Sequence, residues 1–284
     1  MSRLAPRPSA LVRTRSRLKA LLWQLLPEPA LIWTMRLRAR LSPANRTPEE
    51  VFTEIYEEGD WGGSGFFSGS GSHNAEIVAP YVRAVTEWLQ ANGGERMTLV
   101  DLGCGDFAVG SQIAPHVGRY VGVDVVAPLV EANNRRFGSD RVSFERRDIV
   151  SDDLPEGDVC TIRQVFQHLS NAQIAEVLRK TAGYRWLIVT DHESGRMKAP
   201  NLDKPIGSST RLYLRSGVVL TEPPFNLPRD RVRRLLDLPV REKVGPLTRT
   251  RGRLVTVLVA NEVETTDRSG SLGLPEADAK PQPR

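Results

Sequence analysis

Val100-Asp101-Leu102-Gly103-Cys104-Gly105-Asp106-Phe107-Ala108-Val109-Gly110 decides how this chain is read. The apolar run Met97-Thr98-Leu99-Val100 leads into the turn Gly103-x-Gly105-x-x-Ala108, and a helix-compatible segment follows. A strand, a tight glycine turn and a helix start make the plan of a nucleotide-binding βαβ unit. Glycine suits the turn because a ligand there approaches the backbone more closely than a Cβ would allow.

Outward from that stretch the pattern alternates. Tyr120-Val121-Gly122-Val123-Asp124 is an apolar strand ending in an acid, and a helix from Pro128 to Phe137 is stopped by Gly138. Val142–Ile149 and Asp158–Leu169 supply the third and fourth strands. Ser170-Asn171-Ala172-Gln173 is a capping box opening a helix with Ile174, Val177 and Leu178 inward. Arg185–Thr190 is the fifth strand, and Leu238–Val240 and Leu254–Val259 are two further apolar runs. Strand and helix alternating in this way argue for an α/β fold, a parallel sheet wrapped on both faces.

The acids around the turn select the ligand. In a dinucleotide site a pyrophosphate sits at the helix N-terminus. Asp101 and Asp106 flank this turn and would repel it, whereas S-adenosylmethionine carries an ammonium, a sulfonium and no phosphate. Asp-Leu-Gly-Cys-Gly at 101–105 resembles the first motif of the class I S-adenosylmethionine-dependent methyltransferases. Asp124, nineteen residues after Gly105, has the place of the acid that accepts the ribose hydroxyls. Val142–Ile149 is similar to the family's next strand, whose terminal acid, here Asp148, faces the adenine amino group. Asp158–Leu169 is similar to the strand and loop beneath the sulfonium. The resemblance spans residues 47–262 and implies a Rossmann-like, doubly wound, mostly parallel seven-stranded sheet with an antiparallel closing strand, formed by Leu254–Val259 with Leu238–Val240, plus N-terminal helices, and S-adenosyl-L-methionine as cofactor. It implies Asp101, Gly103, Cys104, Gly105, Asp124, Val125, Asp148, Ile149 and Arg163 as the residues that bind it.

The charge is unevenly placed. The first 47 residues hold ten Lys/Arg and a single acid, Glu28, for a charge of +9, so the rest of the chain carries −4 of the overall +5. Three parts are expected: a basic arm over 1–46, a methyltransferase domain over 47–263 and a disordered tail over 264–284 rich in Thr, Ser, Gly, Pro and charge. Within the domain, 47–96 forms an N-terminal cap and lid, and 97–263 the Rossmann-like core. The arm's apolar middle, Ala20–Trp33, is interrupted by Pro27, Glu28 and Pro29 and is too short for a membrane span of ~20 residues. An amphipathic anchor on an anionic membrane, a transit peptide and an arm packed on its own domain all fit its composition.

Thr47-Pro48-Glu49-Glu50 is a helix start with a capping box. After it comes Trp61-Gly62-Gly63-Ser64-Gly65-Phe66-Phe67-Ser68-Gly69-Ser70-Gly71-Ser72-His73, which lacks the Gly-Lys-Ser/Thr end of a nucleoside-triphosphate loop. Three aromatics are costly to leave in a tether, so this stretch is expected to fold over cofactor and substrate as a lid. Asn74 caps the next helix, in which Val78, Tyr81, Val82, Val85, Trp88 and Leu89 share one face.

Two cysteines, Cys104 and Cys160, and four histidines give no disulfide framework and no metal spacing, so no metal is expected and a reducing cytoplasm fits. Methyl transfer by in-line displacement rests largely on alignment, but a hydroxyl acceptor must lose its proton. His168, with an unperturbed pKa of ~6.5, is the first candidate base at the carboxyl ends of the strands, and His192 and Glu193 are the second. Enzymes that methylate an amino group of a nucleobase or glutamine resemble one another in Asn/Asp-Pro-Pro-Tyr/Phe directly after the fourth strand; the nearest match here, Glu222-Pro223-Pro224-Phe225, follows the fifth strand and starts with the wrong residue, which counts against base methylation and so against DNA as a partner. The expected acceptor is a small molecule or glycan hydroxyl, met by Trp61–Ser72 and Asn201–Asn226. The alternatives are an RNA or protein methyltransferase docking through the arm with Arg229, Arg231, Arg233 and Arg234, and a non-catalytic S-adenosylmethionine-binding module. The location expected is cytoplasmic, with a membrane surface reached through 1–46 as its variant.

Overall fold

The computed structural model describes Trp33 and residues 46–61, 65–244 and 247–261. The expected tail and, apart from Trp33 and Arg46, the expected arm lie outside the described residues. Seven strands form one sheet: β1 (Thr98–Leu102), β2 (Arg119–Asp124), β3 (Val142–Arg146), β4 (Val159–Arg163), β5 (Trp186–Ser194), β6 (Val232–Val244) and β7 (Leu247–Ala260). Their order is β3-β2-β1-β4-β5-β7-β6. The first five pair in parallel, and β7 runs antiparallel to both β5 and β6, so one strand opposes the other six. This is the doubly wound architecture expected from the sequence.

The closing strands are longer than their apolar runs. β6 starts at Val232 rather than Leu238 because it is an edge strand with one face open to water, so Arg233 and Arg234 stand exposed among its pairing residues. β5 runs on to Ser194 because β7 pairs with it as far as Gly252.

Three helices begin as their caps dictate. In α1 (Pro48–Glu58) the Thr47 side chain and Glu50 close a capping box, and Gly59, at φ 63°, ends the helix in the left-handed conformation. After a single turn, α2 (Ser70–His73), Asn74 caps α3 (Ala75–Ala91). α4 (Gly110–Ile113) follows the glycine turn and α5 (Ala127–Phe137) follows β2. The Ser170–Gln173 box opens α6 (Asn171–Thr181).

Alternation along the strands gives the sheet two buried faces. Val100, Leu102, Val121, Val123 and Ile162 pack with Ile174 and Val177 of α6 on one side. Leu99, Tyr120, Val159 and Ile188 pack with Tyr81, Val85, Trp88 and Leu89 of α3 on the other. Those layers leave the carboxyl ends of β1, β2 and β4 facing one crevice, which α1 and the segment 65–73 roof.

Candidate active site

A cavity of about 280 Å3 opens at the carboxyl ends of the parallel strands. Gly103, Gly105, Asp124, Val125, Asp148, Ile149, Arg163 and His168 line it, eight of the ten residues singled out from the sequence.

Asp124 sits at the end of β2, 8% exposed. Its carboxylate accepts the N–H of Gly105 at 3.1 Å and of Val126 at 3.1 Å. Burial outweighs those bonds and raises its pKa to about 6. Asn133 of α5 donates to the Gly105 carbonyl at 2.8 Å, fixing the turn from below. Gly103 and Gly105 have φ values of 77° and 55°, so an L side chain at either is strained. Asp148 is held by the Val150 N–H at 2.9 Å and the Ser151 hydroxyl at 3.0 Å, with Val125, Ile149 and Val150 as apolar neighbours in the lining.

Asp101 and Cys104 take other places. Strand alternation puts the Asp101 side chain on the Leu99 face, beneath α3, where it accepts Tyr120 Oη at 2.5 Å and Thr161 Oγ1 at 2.7 Å. It is absent from the cavity lining. Cys104 also lies outside the lining; its thiol packs towards Gly122 of β2, and burial pushes its pKa well up. Asp106, the other acid of the charge argument, bonds the lid: it accepts Ser68 N–H at 3.1 Å and meets His73 Nε2 at 2.7 Å. The negative edge of the cavity is therefore Asp124 and Asp148, and the acids at 101 and 106 hold the scaffold.

The lid is seated by bonds from three elements. Ser68 Oγ accepts the Asp106 N–H at 2.8 Å and lies 3.2 Å from Tyr56 Oη of α1. Arg163 donates to the Gly71 carbonyl at 2.7 Å while its guanidinium lies 4.9 Å over the Tyr81 ring. A Cβ on Gly105 would collide with Ser68 Oγ, and one on Gly71 with Gln164 Oε1. The same cover brings Phe52, Tyr56 and Trp61 together, with the Trp61 ring 5.4 Å from that of His168.

His168 is placed where a base would stand, but its surroundings do not suit one. It is 7% exposed, its Nδ1 donates to the Gly207 carbonyl at 3.1 Å, and its Nε2 lies 3.3 Å from Gln167 Nε2. Burial first, then the Lys204 ammonium, push its pKa down to about 3. The value near 6.5 that made it the first candidate belongs to a solvated ring.

The 195–228 segment also differs from expectation. Asn201, Lys204 and Arg211 are buried. Arg211 donates to the carbonyls of Phe166 at 2.7 Å and Leu169 at 2.9 Å, and Lys204 to that of His168 at 3.2 Å. These polar side chains brace the loop after β4, and only Ser208 and Thr210 of this segment line the cavity.

Gln164 and Ser68 fall within stretches that the sequence assigned to the site, whereas Gln167 lines it without any signal of its own. Gln164, at φ 58°, is one of the left-handed non-glycine residues, a feature no residue pattern announces. The capping box announced α1 but not that Phe52 and Tyr56 on it would roof the cavity.

Residues 99–184, from β1 to just beyond α6, match the family model described as methyltransferase domain. The matched segment, and not the whole chain, is similar to a methyltransferase domain. A comparison with curated protein sequences finds no match. Among solved structures, the chain is similar to the N-methyltransferase NodS from Bradyrhizobium japonicum in complex with S-adenosyl-L-homocysteine, at 13% identity over 66% of this chain and 89% of that one, with a TM-score of 0.45. It is also similar to the magnesium protoporphyrin IX methyltransferase of Synechocystis PCC 6803 with bound S-adenosylmethionine, at 14% identity over 77% and 100% and a TM-score of 0.47. Both likenesses are too remote to bear on the acceptor.

Proposed function

We propose that this chain is an S-adenosylmethionine-dependent methyltransferase and that it modifies a small organic molecule or a glycan at a hydroxyl group, inside the cavity closed by α1 and the lid. The observation that carries the reading is the roof: Phe52, Tyr56, Trp61 and residues 68–72 cover a cavity of about 280 Å3 whose other side offers Gln164, Gln167 and His192. Such a site takes a compact acceptor and excludes water during transfer.

The residues fit the cofactor. The left-handed glycines leave the backbone bare, Asp124 and Asp148 present carboxylates, and Val125, Ile149 and Val150 supply an apolar wall. Asp124 would hold the ribose hydroxyls and Asp148 the adenine amino group. When bound, S-adenosylmethionine supplies a methyl group activated by positive sulfur. The chain's part is to align the acceptor with that methyl and keep the site dry.

The rival acceptors, RNA and protein, need an exposed cationic surface near the cavity. None of Arg229, Arg231, Arg233 and Arg234 lines it. Two of them are already neutralised, Arg229 by Glu222 and Arg234 by Asp237 at 2.7 Å. We place the protein in the cytoplasm, with residues 1–46 as the part that would touch a membrane surface. No helix among the described residues is long and apolar enough to cross one.

The test is incubation with radiolabelled S-adenosylmethionine and a fractionated lysate. Label is expected in the small-molecule or glycan fraction, as an ether stable to mild alkali. Label confined to RNA or protein would replace this reading by its rival. Tight cofactor binding with no transfer to any fraction would leave a binding module.

A further inference from the structure

Three aromatic side chains stand together in the roof of the cavity. Phe52 and Tyr56, one turn apart on α1, and Trp61, just past its end, all line it. The Tyr56 and Trp61 rings are 5.0 Å apart and nearly perpendicular, at 87°, and the Phe52 ring lies 6.3 Å from that of Trp61. His168 closes the group from the loop after β4, its ring 5.4 Å from Trp61 and 6.4 Å from Phe52. Tyr56 Oη lies 3.6 Å from where a Cβ on Gly105 would stand, so this ring reaches over the glycine turn.

Aliphatic side chains would roof a cavity as well, and without the cost that Trp61 carries: its Nε1–H is buried with no hydrogen-bond partner. What an aromatic offers beyond an aliphatic is a negative ring face, which attracts a cation within about 6 Å of its centroid, tryptophan most strongly. The cationic groups of the lining are turned to other work. Arg147 donates to Glu145 at 2.7 and 2.8 Å, and Arg163 to the Gly71 carbonyl at 2.7 Å, with its guanidinium over the Tyr81 ring. Burial first, then the Lys204 ammonium, hold the His168 pKa at about 3, so its ring is uncharged at neutral pH.

We propose that Phe52, Tyr56 and Trp61 form an aromatic clamp on the cofactor's sulfonium, whose ring faces let the cavity distinguish the charged methyl donor from its neutral product. The inference rests on the cofactor reading given above. With ribose at Asp124 and adenine at Asp148, beyond β2 and β3, the methionine end would extend over Gly103 and Gly105 towards β4, beneath the rings. A ring face suits that place better than a carboxylate. A carboxylate against an activated methyl is itself a nucleophile and would be esterified, whereas a ring face stabilises positive charge without becoming alkylated. To the neutral thioether left after transfer the rings offer packing alone, which favours its exchange for a fresh donor.

Calorimetry on the whole protein with S-adenosylmethionine and S-adenosylhomocysteine tests the clamp without any acceptor. Lost packing weakens both ligands alike, so the ratio of the two affinities isolates the charge. In Trp61→Leu that ratio is expected to shift about tenfold against S-adenosylmethionine, and in Phe52→Leu about threefold in the same direction. Trp61→Phe, which keeps a ring but no N–H, is expected to stay within about twofold of the wild-type ratio. Protein grown with 5-fluorotryptophan keeps its shape while the ring faces lose negative charge. Trp61 is the tryptophan among the described residues that lines the cavity, and the ratio is expected to shift about twofold against S-adenosylmethionine. Equal losses for both ligands in Trp61→Leu, or a ratio unmoved by fluorination, would overturn the clamp and leave the cofactor reading standing. A ratio in Trp61→Phe as low as in Trp61→Leu would overturn it too, by assigning the effect to the indole N–H. A wild type that binds neither ligand would overturn the cofactor reading, and the clamp with it.

Discussion

In the proposed site, Asp124 would couple cofactor binding to pH through a single carboxylate. Its pKa, raised to about 6 by burial, means that the charged form prevails only above that pH in the free protein. A protonated Asp124 loses its attraction for a cationic ligand and accepts hydroxyls more weakly. S-adenosylmethionine affinity is therefore expected to rise as pH increases through about 6, measured by calorimetry between pH 5 and 8; a flat profile would contradict it. The sign for folding is opposite. The unfolded carboxyl ionises near 3.8, so the contribution of Asp124 to stability is fully present below that value and is lost as pH rises to about 6. Hydrogen bonds to charged groups contribute ~1.5–3 kcal/mol, so Asp124→Asn is expected to weaken cofactor binding roughly 10- to 100-fold. The position of Asp124 was legible as an acid ending an apolar strand. Its altered pKa was not, because desolvation depends on what α5 and the glycine turn bury around it.

Among the elements, the lid is the one whose state is set by few bonds. Asp106 ties it to the glycine turn through Ser68 and His73, and Arg163 ties it to β4 through Gly71. Asp106→Ala removes an acceptor that serves Ser68, His73 and the Ala108 N–H. Dissociation of S-adenosylmethionine from Asp106→Ala, followed by stopped-flow fluorescence of Trp61, is expected to be about tenfold faster than from wild type. An unchanged rate would mean that the segment is not a gate. Gly105→Ala is expected to unseat the lid as well, since the new Cβ meets Ser68 Oγ at a left-handed backbone position. The aromatic content of 61–73 marked the stretch as more than a tether. Which residues latch it could not be read, because Asp106 and His73 are 33 positions apart and meet only after the sheet has formed.

For the molecule as a whole, the sheet is the part that must be intact before any of this geometry exists. Leu102 is fully buried at the end of β1, between Val123 of β2 and Ile162 of β4, just before the glycine turn. Leu102→Ala is expected to cost roughly 2–5 kcal/mol in urea unfolding, the range for a leucine truncated in a packed core. A loss well under 1 kcal/mol would mean that the site's floor collapses around the gap. Arg211 and Lys204 work at the same scale, joining the segment after β5 to the carbonyls of Phe166, His168 and Leu169 in the loop after β4.

The alternating architecture, the glycine turn after the first strand, the caps of α1, α3 and α6, and the acids at the end of β2 and just past β3 were all legible in the residues alone. Each of these is a local matter, written in periodicities of two or 3.6 and in the few residues that a cap or a left-handed turn tolerates. Tertiary structure alone decided that Asp101 turns under α3, that Asp106 serves the lid, and that His168 is a buried link while His192 faces the cavity. Those outcomes depend on burial and on hydrogen bonds between residues distant in the chain, and a carboxylate or imidazole has the same letter in water as in the core.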